Sequence, residues 1–404
     1  MLDFTTVAAA NKSSREEGMI PTTPMKMLLW HWGRLGGGPR YTLELARALT
    51  ARLDVDLTLS LSRGNTALAE FAALPCPCDI VDTYSGLASF VAASARLPKI
   101  RATLRTMIAE SGVEVVVATM PHVWSWFLAP AARKANVPLI SIIHDAHTHP
   151  GDLNPLLQWR IRRELAAADG VVTLSDHVKR LLVEDYRYPE ERIAVLPLGP
   201  FAYGEGVRTP RRFPRDRPFR FLFFGRLLAY KGLSLLIEAF RRVAAAHAEV
   251  ELFVVGQGDL GSYRNSLAAT PRVTVVNRWI DDGEISGFLA EADALVAPYT
   301  ESSQSAAVAA AFGCGMPVVV TPVGGLAEQV EAGITGTIAS EPTAASVAEA
   351  MEALLDAQVY ERCAAAVHAR YVAIDPWCHT AEALVAHCRR ITARATAAAT
   401  GPGI

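Results

Sequence analysis

In the segment FFGRLLAYKG, two cations, Arg226 and Lys231, stand five residues apart behind an apolar run. A guanidinium offers fork-like donors and an ammonium a mobile point charge, so such a pair across a loop can converge on one anion. A diphosphate is the natural match. The alternative is that both are solvated surface charges, the usual place for Arg and Lys. Farther on, PYTESSQSAAVAAAFGCGMP joins a cluster of hydroxyls and a single carboxylate, Glu301, to a run of small residues. A lone carboxylate in such a cluster raises the question of its partner.

Glycine-rich turns supply a second kind of anion chemistry. In GRLGGGPRYTLELARAL, Gly36, Gly37 and Gly38 precede a helix whose first turn includes Pro39. Such a loop presents free backbone N–H groups and the positive end of the helix dipole. The dinucleotide fingerprint G-x-G-x-x-G is met only in part, because Tyr41 stands at its last position. A tight turn without ligand is the alternative. VVGQGD carries Gly256 and Gly258, and VTPVGGLAE carries Gly324, Gly325 and Glu328. Each pair alone marks only a turn, but their recurrence behind successive apolar runs is a stronger signal.

Other clusters point to less. Asp54-Val55-Asp56 has the spacing of a metal-binding carboxylate pair, yet it opens an alternating run, DVDLTLS, and reads as the solvated start of a strand. His144, His147 and His149 in HDAHTH match no common zinc spacing, and the latter two are expected near an acceptor cleft. Arg96, Lys99, Arg101 and Arg105 form a basic, partly apolar stretch. It reads as a solvated helix face, with contact to an anionic membrane surface as the alternative.

These residues need a scaffold. Short apolar runs alternate with amphipathic stretches of helical length, the pattern of parallel strands joined by crossover helices. The first half offers strands at Lys26–Trp32, Val55–Leu61, Val115–Thr119, Leu139–His144 and Gly170–Leu174. A Pro-, Gly- and Arg-rich segment, PFAYGEGVRTPRRFPRDRPFR, then breaks the pattern and reads as a linker. It restarts with Phe219–Phe224, Val250–Val255, Val273–Val276, Ala294–Ala297 and Val318–Thr321. Ligands of such sheets bind beyond the carboxyl ends of the strands, so two facing halves imply a cleft between them.

With 404 residues the chain exceeds one typical core, so two domains are expected. A formal net charge of -2 argues against nucleic acid as a partner. No apolar run approaches the about 18 residues needed to span a bilayer. Residues 1–25 lack the build of a secretory signal and are expected to be a disordered leader. Six scattered cysteines suggest neither a disulfide framework nor a zinc motif, and a reducing cytoplasm fits best.

Taken together, GGGP, LISIIHD, ADGVVTLSDHVKRLL, FFGRLLAYKG, VVGQGD, the run from Trp279 through EADALVAP, and GCGMPVVVTPVGG resemble a family-four-type retaining glycosyltransferase of group 1. The resemblance spans residue 26 to about 390. It implies the GT-B fold: an α/β architecture of two Rossmann-like, doubly wound domains facing across a cleft. It places an N-terminal acceptor domain at 26–205, a nucleotide-sugar donor domain at 206–372, and at 373–404 a helix crossing back to the first domain. It implies that Gly225, Arg226 and Lys231 hold the donor diphosphate and stabilise the leaving group, a task that needs no metal or other cofactor. His144 then faces the donor sugar, Gly37 and Gly38 lie close to the phosphate with Gly256 at a neighbouring turn, and Trp279 and Ile280 fall where the base is read.

One departure matters. The family often carries E-x7-E, but aligned on GCGMPV those positions are Ser302 and Ala310, with Glu301 one residue away. The stretch resembles a variant with a Q-S pair, which implies that Gln304, Ser305 and the backbone N–H groups of Ser305 and Ala306 meet the diphosphate or ribose at a helix N-terminus, with Ser302 also at the donor and Glu301 reaching the sugar from one residue away. An ordinary buried Ala-rich helix is the alternative. The resemblance thus implies transfer of a sugar from a UDP-, GDP- or ADP-sugar to a glycan, lipid-linked or small acceptor, with retention, in envelope or polysaccharide biosynthesis. A non-catalytic GT-B scaffold and a nucleotide-sugar epimerase remain the competing readings.

Overall fold

The computed structural model describes residues 23–84, 86–150, 156–204 and 208–400. The proposed leader lies outside them up to residue 22, while Met25 already opens the first strand. Among the described residues, a first sheet is built from β1 (Met25–His31), β2 (Val55–Ser62), β3 (Cys78–Val81), β4 (Val115–Ala118), β5 (Leu139–Ile143), β6 (Gly170–Thr173) and β7 (Ile193–Val195). A second is built from β8 (Phe219–Phe224), β9 (Val250–Val255), β10 (Val273–Val276), β11 (Ala294–Ala297), β12 (Val318–Val320) and β13 (Gly336–Ile338). The orders are β3-β2-β1-β4-β5-β6-β7 and β10-β9-β8-β11-β12-β13, with parallel pairing throughout. This is the two-sheet GT-B architecture.

The central strands are nearly continuous Val, Leu, Ile and Phe because helices cover both faces of a parallel sheet. Alternate residues of β1 serve opposite cores. Met27 and Leu29 pack with Tyr41, Leu45 and Leu49 of the helix Gly37–Thr50, whereas Leu28 and Trp30 pack with Leu104 and Ile108. In the second sheet Phe219, Phe221 and Phe223 face Leu236 and Phe240 of the helix Leu233–Ala246, and Leu222 faces the opposite layer with Leu289 and Phe312.

In both sheets the chain winds outward from the middle in two directions. The reversal falls between β1 and β4 and between β8 and β11, the switch points where side-by-side loops leave a crevice. The loops that follow those four strands therefore carry the site.

Residues 196–218 contain no helix or strand among those described, yet they are not a loose tether. Arg211 donates to the carbonyls of Leu289, Ala292 and Cys314, spare acceptors at two helix ends, and Arg217 forms a fork with Asp293. The final helix, Trp377–Thr400, returns to the first domain. Trp377 Nε1 donates to the Pro200 carbonyl at 2.7 Å, and Leu384, Cys388 and Ile391 join the first core.

Two expectations need correction. Asp56 is exposed as expected, but Asp54 is only partly solvated: it accepts from Arg52 and, at 2.9 Å, from Arg389 of that returning helix, because the helix lies over the start of β2. The strands β3, β7 and β13 were not anticipated. All three are sheet edges of three or four residues, too short and too half-buried to give a continuous apolar run.

Candidate active site

On the second-domain side, β8 delivers Gly225, Arg226 and Lys231 to the crevice. The turn depends on glycine: Gly256 has φ 143°, and a Cβ there would sit 1.9 Å from the Gly225 carbonyl oxygen. Lys231 Nζ donates to Tyr299 Oη at 2.8 Å and lies 4.3 Å from that ring's centroid. Burial works against the ammonium, but Tyr299 and Tyr230 beside it hold its pKa above the ordinary lysine value. Arg226 is exposed at the mouth, near enough to Tyr230 to act on its charge. Both expected cations thus line one loop, one fixed and one projecting.

Tyr299 continues the chain to Ser305, whose Oγ lies 3.2 Å from Tyr299 Oη. Ser305 caps the helix Ala306–Gly313 by accepting from Val308 N–H at 3.3 Å. Its own backbone N–H, expected at a phosphate, donates instead to Gln329 Oε1 at 2.6 Å. The reason is local: the turn at Gly324–Gln329 folds back beneath this helix and offers an amide there. Ser302 is likewise turned inward, buried, its hydroxyl donating to the Gln304 carbonyl. Gln304 keeps its side-chain oxygen buried without a partner among the described residues.

The first domain meets this helix directly. Gly37 opens the helix Gly37–Thr50, and a Cβ on it would lie 3.0 Å from Ala306 Cβ. Small residues on both sides bring two helix N-termini together across the cleft. Gly38 is packed against His31 and Met120. Thr42 Oγ1 donates to the Gly38 carbonyl, so the Thr119 hydroxyl donates to Thr42, and His31 must donate from Nδ1 to Thr119. Burial and the neighbouring His144 and His122 push the His31 pKa down to about 3, so the ring is neutral.

His144, at the end of β5, donates from Nε2 to the Thr119 carbonyl at 2.8 Å, which leaves Nδ1 as an acceptor. Burial keeps its pKa below the ordinary value despite that bond and Asp145. His147 does not reach the cleft: it pairs with Asp185 of the same domain at 2.8 Å.

His149 crosses it. Its Nε2 lies 3.2 Å from Asp145 Oδ1 and 3.5 Å from Ser303 Oγ, and its Nδ1 lies 3.2 Å from Glu301 Oε1. Its ring stacks on Tyr230 at 4.6 Å. Glu301 therefore has a partner, and it belongs to the other domain. No sequence signal linked two residues 152 positions apart.

Other ties surround the cleft. Glu328 accepts from the backbone N–H groups of Asp176 and His177 at the start of the helix Asp176–Tyr186, and Ser175 Oγ donates to the Ser303 carbonyl. Buried Arg40 binds Glu70 through a fork and Asp282 of the second domain at 2.9 Å. Of the base-site candidates, Ile280 packs beneath the site with Tyr299 and Ala307, while Trp279 stays exposed beside Arg278.

Comparison with known proteins matches residues 35–199 to the family Glycosyltransferase Family 4 and residues 218–357 to Glycosyl transferases group 1. A D-inositol 3-phosphate glycosyltransferase of Arthrobacter sp. is 28% identical, over 80% of this chain and 83% of that protein. A glycogen synthase of Mycobacterium tuberculosis is also 28% identical, over 58% of this chain and 59% of its own length. Among solved structures, Anabaena HepE in complex with UDP and glucose superposes with a TM-score of 0.66 at 18% identity, over 90% of this chain and all of that one. These matches favour a transferase over a scaffold or an epimerase. With two parallel-sheet domains closing on one cleft and a family match on each, the chain belongs to the GT-B glycosyltransferases that join a family-four domain to a group 1 domain.

Proposed function

We propose that the enzyme transfers a sugar from a nucleotide sugar to an acceptor hydroxyl with retention of anomeric configuration. The observation that carries this is the unbroken run Gly225, Lys231, Tyr299, Ser305, Ala306, Gly37, which links a cationic loop of one domain to a glycine helix start of the other. In this reading the diphosphate lies against Arg226 and Lys231, with Ser305 and Ala306 beside it, Gly37 and Gly38 opposite, and Gln304 toward the ribose, whose hydroxyls can donate to its amide oxygen. His144 and Glu301 face the sugar, and the base lies near Trp279 and Ile280.

Chemistry follows from that placement. As the bond from the anomeric carbon to the diphosphate breaks, its electron pair stays on the phosphate oxygen, where the two cations stabilise the growing charge. The acceptor hydroxyl attacks from the same face and its proton passes to the departing oxygen. The acceptor, a glycan or lipid-linked molecule, lies on the first-domain side. Exposed Arg96, Lys99 and Arg105 give that side a basic face toward an anionic membrane, consistent with a cytoplasmic or peripheral enzyme. Bound UDP or UDP-glucose in the HepE structures favours a uridine nucleotide as donor.

A thermal-shift series with UDP, GDP, ADP and their glucose conjugates tests this, since a ligand that binds only the folded state raises Tm. One nucleotide family is expected to raise it well above the other two. No shift with any of them sinks the proposal.

A further inference from the structure

We propose that His149 is a positioning residue of the donor site: bonded at both ring nitrogens, it holds the Glu301 carboxylate toward the sugar and shields the diphosphate from it. The inference rests on the reading that Glu301 faces the donor.

The geometry sets the ring's charge. Each nitrogen of His149 faces a carboxylate at 3.2 Å, Asp145 from its own loop and Glu301 from the loop after β11. A neutral imidazole has one N–H, so only the imidazolium donates to both. Three domain-crossing contacts hold the ring in place. Tyr230 stacks on it at 4.6 Å, the Tyr230 N–H donates to the Pro150 carbonyl, and Ser303 approaches Nε2. The Tyr230 carbonyl then accepts from Thr300 N–H, fixing the residue before Glu301. His149 is thus fastened both to its target and to that target's backbone.

The charges around it agree. Asp145 and Glu301 are the anions on the ring; Lys231 Nζ lies 5.5 Å from the Tyr230 ring centroid with Arg226 also close enough to act on Tyr230, and His177 is near enough to act on both Glu301 and His149. Burial opposes the cation, but Asp145 and Glu301 raise the His149 pKa above its ordinary value.

Why would a transferase place a cation there? Glu301 is half exposed at the cleft and would repel a diphosphate held by Lys231. A carboxylate useful for sugar hydroxyls is tolerable beside that diphosphate only if its charge is offset. His149 offsets it from the opposite domain, so the offset exists only when the cleft is closed.

His149→Gln, Glu301→Gln and the double variant test this, with UDP-glucose turnover followed from about pH 5.5 to 9. Each single variant is expected to lower kcat/KM for the donor about 10- to 100-fold, the scale of a misplaced contact. The double variant should be no worse than the poorer single one, because the two residues act as a unit. Wild-type activity should fall at high pH as the imidazolium is lost, and His149→Gln should lack that basic limb. Wild-type turnover and an unchanged basic limb in His149→Gln, or multiplicative losses in the double variant, overturn the proposal. Wild-type turnover in Glu301→Gln instead sinks the donor-site reading on which it rests. A second readout is independent of the donor: NMR titration of the His149 ring should give a pKa above the ordinary value that falls in folded Glu301→Gln. A ring that titrates identically in both proteins also overturns it.

Discussion

Gln304 and Glu301 flank Ser302 in the stretch where Ser302 and Ala310 stand in place of the glutamate pair common in the family, and their geometry assigns them unequal tasks. Gln304 holds a buried amide oxygen without a partner among the described residues, an arrangement that costs free energy unless a ligand donor meets it. Gln304→Ala is therefore expected to weaken nucleotide-sugar binding about 10-fold or more with little loss of Tm, and Glu301→Ala to weaken the sugar conjugate more than the free nucleotide. Calorimetric titration with both ligands checks this; unchanged affinities in both variants contradict it. The shared loop of Arg226 and Lys231 was legible because both follow an apolar strand within a few residues. The inward turn of Ser302, whose carbonyl accepts from Gly325 N–H, and the use of Ser305 N–H by Gln329 were not, since both ties come from a turn more than twenty residues away in sequence.

Parallel pairing explains why central strands could be read from the sequence and edges could not. β8, β9 and β11 have the expected bounds because their runs are mostly apolar and buried, and the edge strand β10 was read from its three valines, while β3, β7 and β13 are half-buried fragments. Order within the sheets sets function at this scale: the switch points β1/β4 and β8/β11 place four loops around one crevice. The loops after β8 and β9 approach so closely that Gly256 admits no side chain. Gly256→Ala is expected to cost about 2–4 kcal/mol, as strain at a glycine-only φ and a backbone clash combine. Its denaturant midpoint measures this directly, and a midpoint equal to wild type contradicts it. Gly37→Ala faces a milder 3.0 Å approach to Ala306, so it should spare the fold and impair closure, seen as a higher donor KM at near-normal Tm.

The molecule as a whole is two domains held by the returning helix, by Arg40 to Asp282, by Glu328 on the helix at Asp176, and by His149 to Glu301. Its pH response carries two signs. Burial pushes His31 and His122 down to about 3 and His387 to about 4. Such groups contribute stability that is fully present above the unfolded value near 6.5 and is lost as pH falls. At pH 5 the loss is about 2 kcal/mol for a histidine shifted this far. His149 runs the other way, adding stability at low pH that disappears as pH rises through its raised pKa. Denaturant midpoints at about pH 7 and 5 should show a drop on acidification that is smaller in His122→Gln; an equal drop in both proteins removes His122 from the account. The measurement that bears most directly on the central claim is turnover of the nucleotide sugar that raises Tm most, by wild type, Arg226→Ala and Lys231→Met, each verified as folded. The account predicts transfer or slow hydrolysis by wild type and a fall in kcat of about 100-fold or more in each variant. Near-normal turnover in both would contradict it.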